Sequence, residues 1–369
     1  MKTSIRRRRR PRSARVRAAR SATKTGAKLA IGIASFTTAA LSAFAPKPVS
    51  PGKKRKTAAS SAQTRAERGS GTQVKAPAFS FSSGIHNSES GTLRYKIFRP
   101  DSVADSSLPP PLLVMLHGCG QTPDDFARGT AMNLLASEKG FIVVYPAQTR
   151  EAHPNRCWNW FARDSQGRSG EPAMLASLTH HVVEAHGADP ARTYIAGLSA
   201  GASMALVVAR AYPEIFAAVG VHSGLPAGAA HDKSSALLAM KRGAPGLRPD
   251  NPSPTIVFHG SRDAVVNPRN GRLVAIRARE AYPSSLRSTE SAGRIPNGRA
   301  YRRIVHRLGT GPPLVEHWTV SASGHAWSGG SSKGRFTDPT GPNASREMVR
   351  FFLRHSLSAR KRNSYRCSG

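Results

Sequence analysis

One segment, Thr193-Tyr-Ile-Ala-Gly-Leu-Ser-Ala-Gly-Ala-Ser-Met204, constrains the fold more than any other. A short apolar run ends on a serine held between two glycines, and helical spacing begins directly behind it. Residues 193–196 read as a buried strand, and Met204, Val207 and Val208 recur at the spacing of a helix over 199–212. A chain that changes from strand to helix within one residue must bend sharply. Gly197 and Gly201 lack the Cβ atoms that would collide where the two elements approach most closely. A serine at such a bend sits on a strained turn at the top of its strand. The same letters also occur in ordinary strand-to-helix turns, so their meaning depends on the rest of the chain.

From residue 72 the pattern is a regular alternation. Segments 73–82 and 93–100 read as antiparallel strands, and Pro111-Leu-Leu-Val-Met-Leu-His117 is the continuous apolar run of a strand covered on both faces. A helix is expected over 123–139, with Asp124 and Asp125 in its first turn and Gly140 just past its end. A strand follows at 141–145 and a helix at 171–186, stopped by Gly187. Further strands are expected at 217–221, 255–259 and 316–320, with helices at 268–281 and 344–355. Strands alternating with helices predict an α/β fold, a mostly parallel sheet with helices on both faces in one catalytic domain. Residues 224–253 and 283–300, rich in Pro, Gly and Ser, read as excursions over the sheet.

A nucleophilic serine needs a histidine to take its proton and a carboxylate to hold that histidine. In this architecture they follow the serine in the order acid, then histidine. After the strand 255–259 comes His259-Gly-Ser-Arg-Asp263, which puts a carboxylate on a loop at a strand end. After the strand 316–320 comes Ser321-Ala-Ser-Gly-His325-Ala-Trp327. Either residue alone reads as a turn cap or a surface group; in order behind Ser199 they read as a triad of Ser199, Asp263 and His325. Leu116-His-Gly-Cys-Gly-Gln121 follows the apolar strand 111–117, where the backbone N–H of Cys119 would join that of Ala200 to form an oxyanion hole. The rival reading, Cys119 as a thiol nucleophile, has no elbow to support it. His117 and His222 read as loop braces.

Six separated motifs resemble one family: Leu116-His-Gly-Cys-Gly-Gln-Thr122, Pro154-Asn-Arg-Cys-Trp-Asn-Trp-Phe161, Gly197-Leu-Ser-Ala-Gly201, Gly220-Val-His-Ser-Gly-Leu-Pro226, His259-Gly-Ser-Arg-Asp263 and Gly324-His-Ala-Trp-Ser-Gly-Gly330. Together, over residues 76–354, they are similar to the poly(3-hydroxybutyrate) depolymerase-type esterases of the α/β-hydrolase superfamily. The resemblance implies the same triad, favours Cys119 as oxyanion donor, and implies a carboxylic ester or polyester as substrate. The family also includes feruloyl and acetylxylan esterases. Trp158, Trp160 and Trp327 are then candidates for an acyl or polymer groove, as flat apolar surface, although tryptophans are equally core anchors.

Charge divides the chain. The net charge is +34, and residues 1–70 carry 19 Lys and Arg against the single acid Glu67. Residues 1–45, a basic stretch followed by the apolar run 29–45, resemble a secretory signal peptide, with Ala43-Phe-Ala45 as a small-x-small cleavage pattern. Residues 46–71 read as a disordered Pro, Ser and Lys-rich linker, 72–355 as the esterase domain, and 356–369 as a basic tail. The leader predicts an extracellular or periplasmic protein. The competing expectation is a cytoplasmic, surface-associated protein whose leader binds an anionic surface or a storage granule. No interleaving of basic and aromatic residues points to specific nucleic acid. Of three cysteines, Cys119 and Cys157 fit either a disulfide in an exported protein or two buried thiols, and Cys367 lies in the tail.

No metal or cofactor is expected. His180, His181, Glu184 and His186 share a helix, but at about 100° per residue the histidines cannot converge on one ion. No phosphate-binding glycine loop is present, and nothing fixes an oligomeric state.

Overall fold

The structure, a computed structural model, describes residues 79–103 and 106–358, all within Gln73–Gly369, one of the two units into which the chain divides. The expected leader 1–45, the linker 46–71, the first residues of the expected strand at 73–82, and Cys367 with nearly all of the basic tail lie outside the described residues.

The chain enters through an antiparallel hairpin, β1 (Phe79–Ser88) and β2 (Gly91–Pro100), then alternates as expected. β3 (Leu112–Leu116) is followed by helices α1 (Pro123–Thr130) and α2 (Met132–Lys139), β4 (Ile142–Ala147) and α3 (Gly170–His186). β5 (Thr193–Leu198) leads into α4 (Ala200–Ala211), and β6 (Ala218–His222) precedes α5 (Lys233–Arg242). β7 (Thr255–Gly260), α6 (Arg269–Glu280), β8 (Arg287–Arg294), β9 (Ala300–Arg307), β10 (Pro313–Val320) and α7 (Ala344–Phe352) follow, with a short two-stranded pairing of Trp327–Ser328 and Thr337–Asp338 between β10 and α7. One ten-stranded sheet has the order β1-β2-β4-β3-β5-β6-β7-β10-β9-β8. The strands from β4 to β10 in that order are mutually parallel, with antiparallel hairpins at both edges.

Side chains alternate across this sheet, and each face has its own core. Leu112, Val114 and Leu116 of β3, with Ile142 and Val144 of β4, pack against Leu175, Leu178 and Val182 of α3 and Met204, Val207 and Val208 of α4. Leu113, Met115, Val143 and Tyr145 point the other way, towards Phe126, Met132 and Leu135 of α1 and α2 and Met348, Phe351 and Phe352 of α7. Both faces being dry explains why the central strands read as unbroken apolar runs.

Three expectations need correction. The single helix over 123–139 is two, separated by Ala131 in a left-handed conformation (φ 52°). Tertiary partners end α1: the Ser331 amide donates to Gly129 O (2.8 Å) and the Ser345 hydroxyl to Thr130 O (2.6 Å), taking carbonyls that a continuing helix would use. The excursion at 224–253 contains α5, begun by a capping box between Asp232 and Ser235. The excursion at 283–300 contains β8 and the start of β9. β8 is polar and exposed, so no apolar alternation marks it; it is held by pairing along β9 from Arg287↔Arg307 to Arg294↔Ala300.

Candidate active site

β5 ends on Leu198, and the next residue, Ser199, takes φ 57° and ψ −121° as the residue before α4. A serine preceding a helix ordinarily turns its hydroxyl back onto the first amides as a cap. Here the positive φ prevents that, and no side-chain cap forms. Such a conformation costs about 1–3 kcal/mol and persists only where neighbours enforce it. The Ser199 amide donates to His222 O (2.9 Å), and the Ser203 hydroxyl donates to Ser199 O (3.2 Å) while accepting from the Leu225 amide (2.9 Å). Glycine is obligatory on both sides. A Cβ on Gly201 would stand 2.2 Å from Leu116 O, and one on Gly197 would stand 2.5 Å from the Gly201 carbonyl carbon.

β5, β6, β7 and β10 are consecutive parallel neighbours, so the loops after β5, β7 and β10 emerge at one edge of the sheet. Ser199 follows β5, Asp263 follows β7 and His325 follows β10. His325 Nδ1 lies 2.7 Å from Asp263 Oδ2. Asp263 Oδ1 accepts the amides of Val265 (3.0 Å) and Val266 (2.8 Å), and its side chain is wholly buried. Burial works against the charged carboxyl, but hydrogen bonds from His259 and His325 outweigh it and hold Asp263 well below the usual carboxylate range. The ionised carboxylate therefore accepts from His325 Nδ1–H and leaves Nε2 as the nitrogen able to take a proton.

His259 is the neighbour that sequence reasoning passed over. Its Nε2 lies 2.9 Å from Val266 O and 3.3 Å from Asp263 Oδ2, so one N–H is shared between the carbonyl and the carboxylate. The available signal was its place four residues before Asp263, at the end of β7.

Cys119 stands on the turn after β3. The amides around it are engaged: Gly118 N donates to Gln121 Oε1 (3.0 Å), Gly120 N to Asn155 O (2.6 Å) and Gln121 N to Gly118 O (3.2 Å). Among the described residues the Cys119 N–H is left without an acceptor, and so is the Ala200 N–H in the first turn of α4. Cys119 is bonded to Cys157, which excludes the thiol-nucleophile reading and resolves the two alternatives for this pair in favour of a disulfide. Glu171, its carboxyl pushed up by burial, gathers the loop carrying Cys157 by accepting the Asn159 amide (2.8 Å), the Asn159 side chain (2.7 Å) and the Gln148 side chain (2.5 Å). His117 accepts the Gln148 amide at Nε2 (3.1 Å) and donates from Nδ1 to Gly118 O (2.8 Å), bracing the ends of β3 and β4. His222 accepts the Ser328 amide (3.0 Å), linking β6 to the loop that carries His325.

The tryptophans are a correction. Trp158 is 0% exposed, Trp160 4% and Trp327 1%, so none of them presents a surface to a substrate. Trp327 stacks on His222, meets Phe126 edge-on and donates its indole N–H to the Ser345 hydroxyl (3.0 Å). Trp158 packs beside His117 beneath the turn that carries Cys119. They are core anchors that set the loops above them.

Residues 93–276, about half the chain, match the family model described as Esterase PHB depolymerase. Poly(3-hydroxyalkanoate) depolymerase C of Paucimonas lemoignei is 31% identical over 230 residues, covering 58% of this chain and 54% of that protein. Feruloyl esterase B of Thermothelomyces thermophilus is 32% identical over 142 residues (38% and 47% covered). Acetylxylan esterase A of Talaromyces purpureogenus is 28% identical over 212 residues (51% and 53%). The chain spans about half the length of these relatives. Among solved structures, the acetyl xylan esterase from Aspergillus awamori has a TM-score of 0.53 at 19% identity, covering 67% of this chain and 94% of that one, a likeness of fold.

Burial pushes His117 down to about 4, His222 to about 3 and His355 to about 4. An unfolded chain protonates its histidines near pH 6.5, so below that pH it binds protons that the folded chain refuses, and stability falls as pH falls. Each of the three adds a slope approaching about 1.4 kcal/mol per pH unit between about pH 6 and 4. Asp263, depressed instead, contributes stability that is present above its unfolded value near 3.9 and is lost only in stronger acid. Urea unfolding from pH 7 to 4 is expected to show stability declining and steepening below pH 6.5; a flat profile over that range would contradict the buried neutral histidines.

Proposed function

Because the chain belongs to the esterase PHB depolymerase family of α/β-hydrolases, we propose that it is a serine carboxylic-ester hydrolase acting on hydroxyalkanoate esters or their oligomers. The observation that carries this reading is the 2.7 Å hydrogen bond between His325 Nδ1 and Asp263 Oδ2 at the sheet edge where Ser199 stands on its strained turn. In this mechanism Ser199 Oγ attacks the ester carbonyl carbon as His325 Nε2 takes its proton. The carbonyl oxygen becomes an oxyanion that accepts from the N–H groups of Cys119 and Ala200. Collapse breaks the bond to the alcohol oxygen, which leaves with the proton from His325, and Ser199 is left acylated. Water then attacks the acyl carbon, again giving its proton to His325. The second tetrahedral species releases the acid and returns the proton to Ser199. Asp263 holds the imidazole in the required tautomer and stabilises it while charged.

A second reading keeps this chemistry and changes the ester to feruloyl or acetyl groups on plant polysaccharide. It is favoured by the names of two of the relatives, feruloyl esterase B and acetylxylan esterase A. Export supports either substrate. The signal-like leader and the Cys119–Cys157 disulfide both fit an oxidising compartment outside the cytoplasm. A leader retained to hold an anionic surface is the competing role.

Ser199→Ala is expected to lower kcat/KM for p-nitrophenyl butyrate by roughly 10⁴–10⁶-fold and to prevent labelling by an organophosphonate. Retention of activity in that variant would overturn the reading. Side-by-side rates on hydroxybutyrate oligomers and methyl ferulate decide between the two substrates. The mass of the secreted protein is expected to show removal of the segment up to about residue 45; an intact, cell-associated N-terminus would instead favour the surface-binding role.

A further inference from the structure

A cavity of about 420 Å³ opens beside the turn that carries Cys119, and its wall is basic. Arg94, Arg150 and Arg156 line it with Thr122, Gln148 and the single acid Glu151. The neighbouring cations are neutralised: Lys96, two residues along the same face of β2 from Arg94, pairs with Asp124, and Arg335 pairs with Asp125. Among the described residues, Arg94, Arg150 and Arg156 have no carboxylate oxygen within 4.0 Å. Three guanidinium groups line one cavity with a single acid, Glu151, on which Arg94 and Arg156 both act. They are well placed for an anionic guest.

The backbone fixes this wall relative to the oxyanion donor. Arg156 lies between Asn155, whose carbonyl accepts the Gly120 amide (2.6 Å), and Cys157, which is bonded to Cys119. It also holds a left-handed conformation, φ 49°, with its amide on His153 O (2.7 Å), a strain of about 1–2 kcal/mol for a residue other than glycine. Arg94 is paired with Ala147 at the end of β4, and Arg150 stands three residues beyond that end. β4 is two positions from β5 in the sheet and β2 is three, so at about 4.8 Å per strand the ends of these strands, near Arg150 and at Arg94, stand roughly 10–14 Å from the strand that ends at Ser199.

We propose that Arg94, Arg150 and Arg156 form a subsite for a substrate carboxylate held about 10–14 Å from the ester being cut, a spacing set by two to three strand intervals. This rests on the esterase reading and narrows it to esters that carry an acid group. Two sources supply that chemistry: the free carboxyl end of a short hydroxyacid oligomer, and a uronate on an acylated oligosaccharide. Bulk neutral polymer supplies neither at most of its ester bonds, so the subsite favours soluble, acid-ended fragments.

The test separates the subsite from the chemistry by measuring binding to the full-length Ser199→Ala protein, in which substrates remain intact. Calorimetric titration is made with a hydroxybutyrate tetramer as free acid and as its methyl ester. The free acid is expected to bind about tenfold more tightly, a difference that shrinks in 0.5 M salt as exposed charges are screened. Adding Arg94→Gln and Arg150→Gln, both at exposed positions, is expected to remove the preference. Equal binding of acid and methyl ester, binding of neither, or a preference that survives both substitutions would overturn the proposal. A glucuronate-bearing acetylated xylo-oligosaccharide and its neutral counterpart, titrated in the same way, identify which source is held. Hydrolysis of p-nitrophenyl butyrate by the unmodified protein tests the esterase reading independently, since that ester has no carboxylate.

Discussion

The close approach of α4 to the end of β3 sets the conditions for everything else at the candidate site. Where the chain turns from β5 into α4, the Gly201 backbone passes so near Leu116 O and His117 O that a single Cβ would be driven to within 2.5 Å of both oxygens. Only glycine permits that distance. The consequence is that Ser199 is pushed to a positive φ, denied the usual cap geometry and left with its hydroxyl uncommitted. The same approach sets the first turn of α4, with its unused amides, beside the turn that carries Cys119. The proposed nucleophile and the proposed oxyanion donors are therefore positioned by one steric fact.

Electrostatics complete what the turn begins. Asp263 is buried yet kept ionised because every direction around its carboxylate is occupied by a donor: two backbone amides, His325, and His259 from behind. His222 bridges the system mechanically, since its carbonyl holds Ser199 N and its ring holds Ser328 N, three residues from His325. On the opposite flank the disulfide, Glu171 and His117 bind the loop after β4 to the loop after β3. The Cys119 amide is thus anchored from two strands, and the arginine-lined cavity is fixed to the same frame.

The alternation of strands and helices was legible because the central strands are dry on both faces and the helices amphipathic, two patterns that local sequence carries well. The contact of His325 with Asp263 was legible because each follows a strand of a parallel sheet, and Ser199 and Cys119 were read at the ends of strands of the same sheet, where the structure has them. What was missed depends on contacts distant in sequence. The break at Ala131 is imposed by Ser331 and Ser345, some 200 residues away, and β8 exists because β9 pairs with it, having no apolar signal of its own. The tryptophans were read towards the substrate because an aromatic beside a catalytic loop serves a groove or a core equally well in sequence. The folded chain places all three in the core. His259 was visible only as part of a motif, since its role lies in the reverse side of Asp263.

The central claim is that an acyl group passes through Ser199, and the most direct measurement is to trap it. Acid quenching during steady-state turnover of a slowly deacylated ester, followed by tandem mass spectrometry of the peptide containing Thr193–Met204, reads the site of acylation. The account predicts the acyl mass on Ser199, accumulating with a burst of released alcohol. Turnover without any acylated peptide, or acyl mass at a residue other than Ser199, would contradict it.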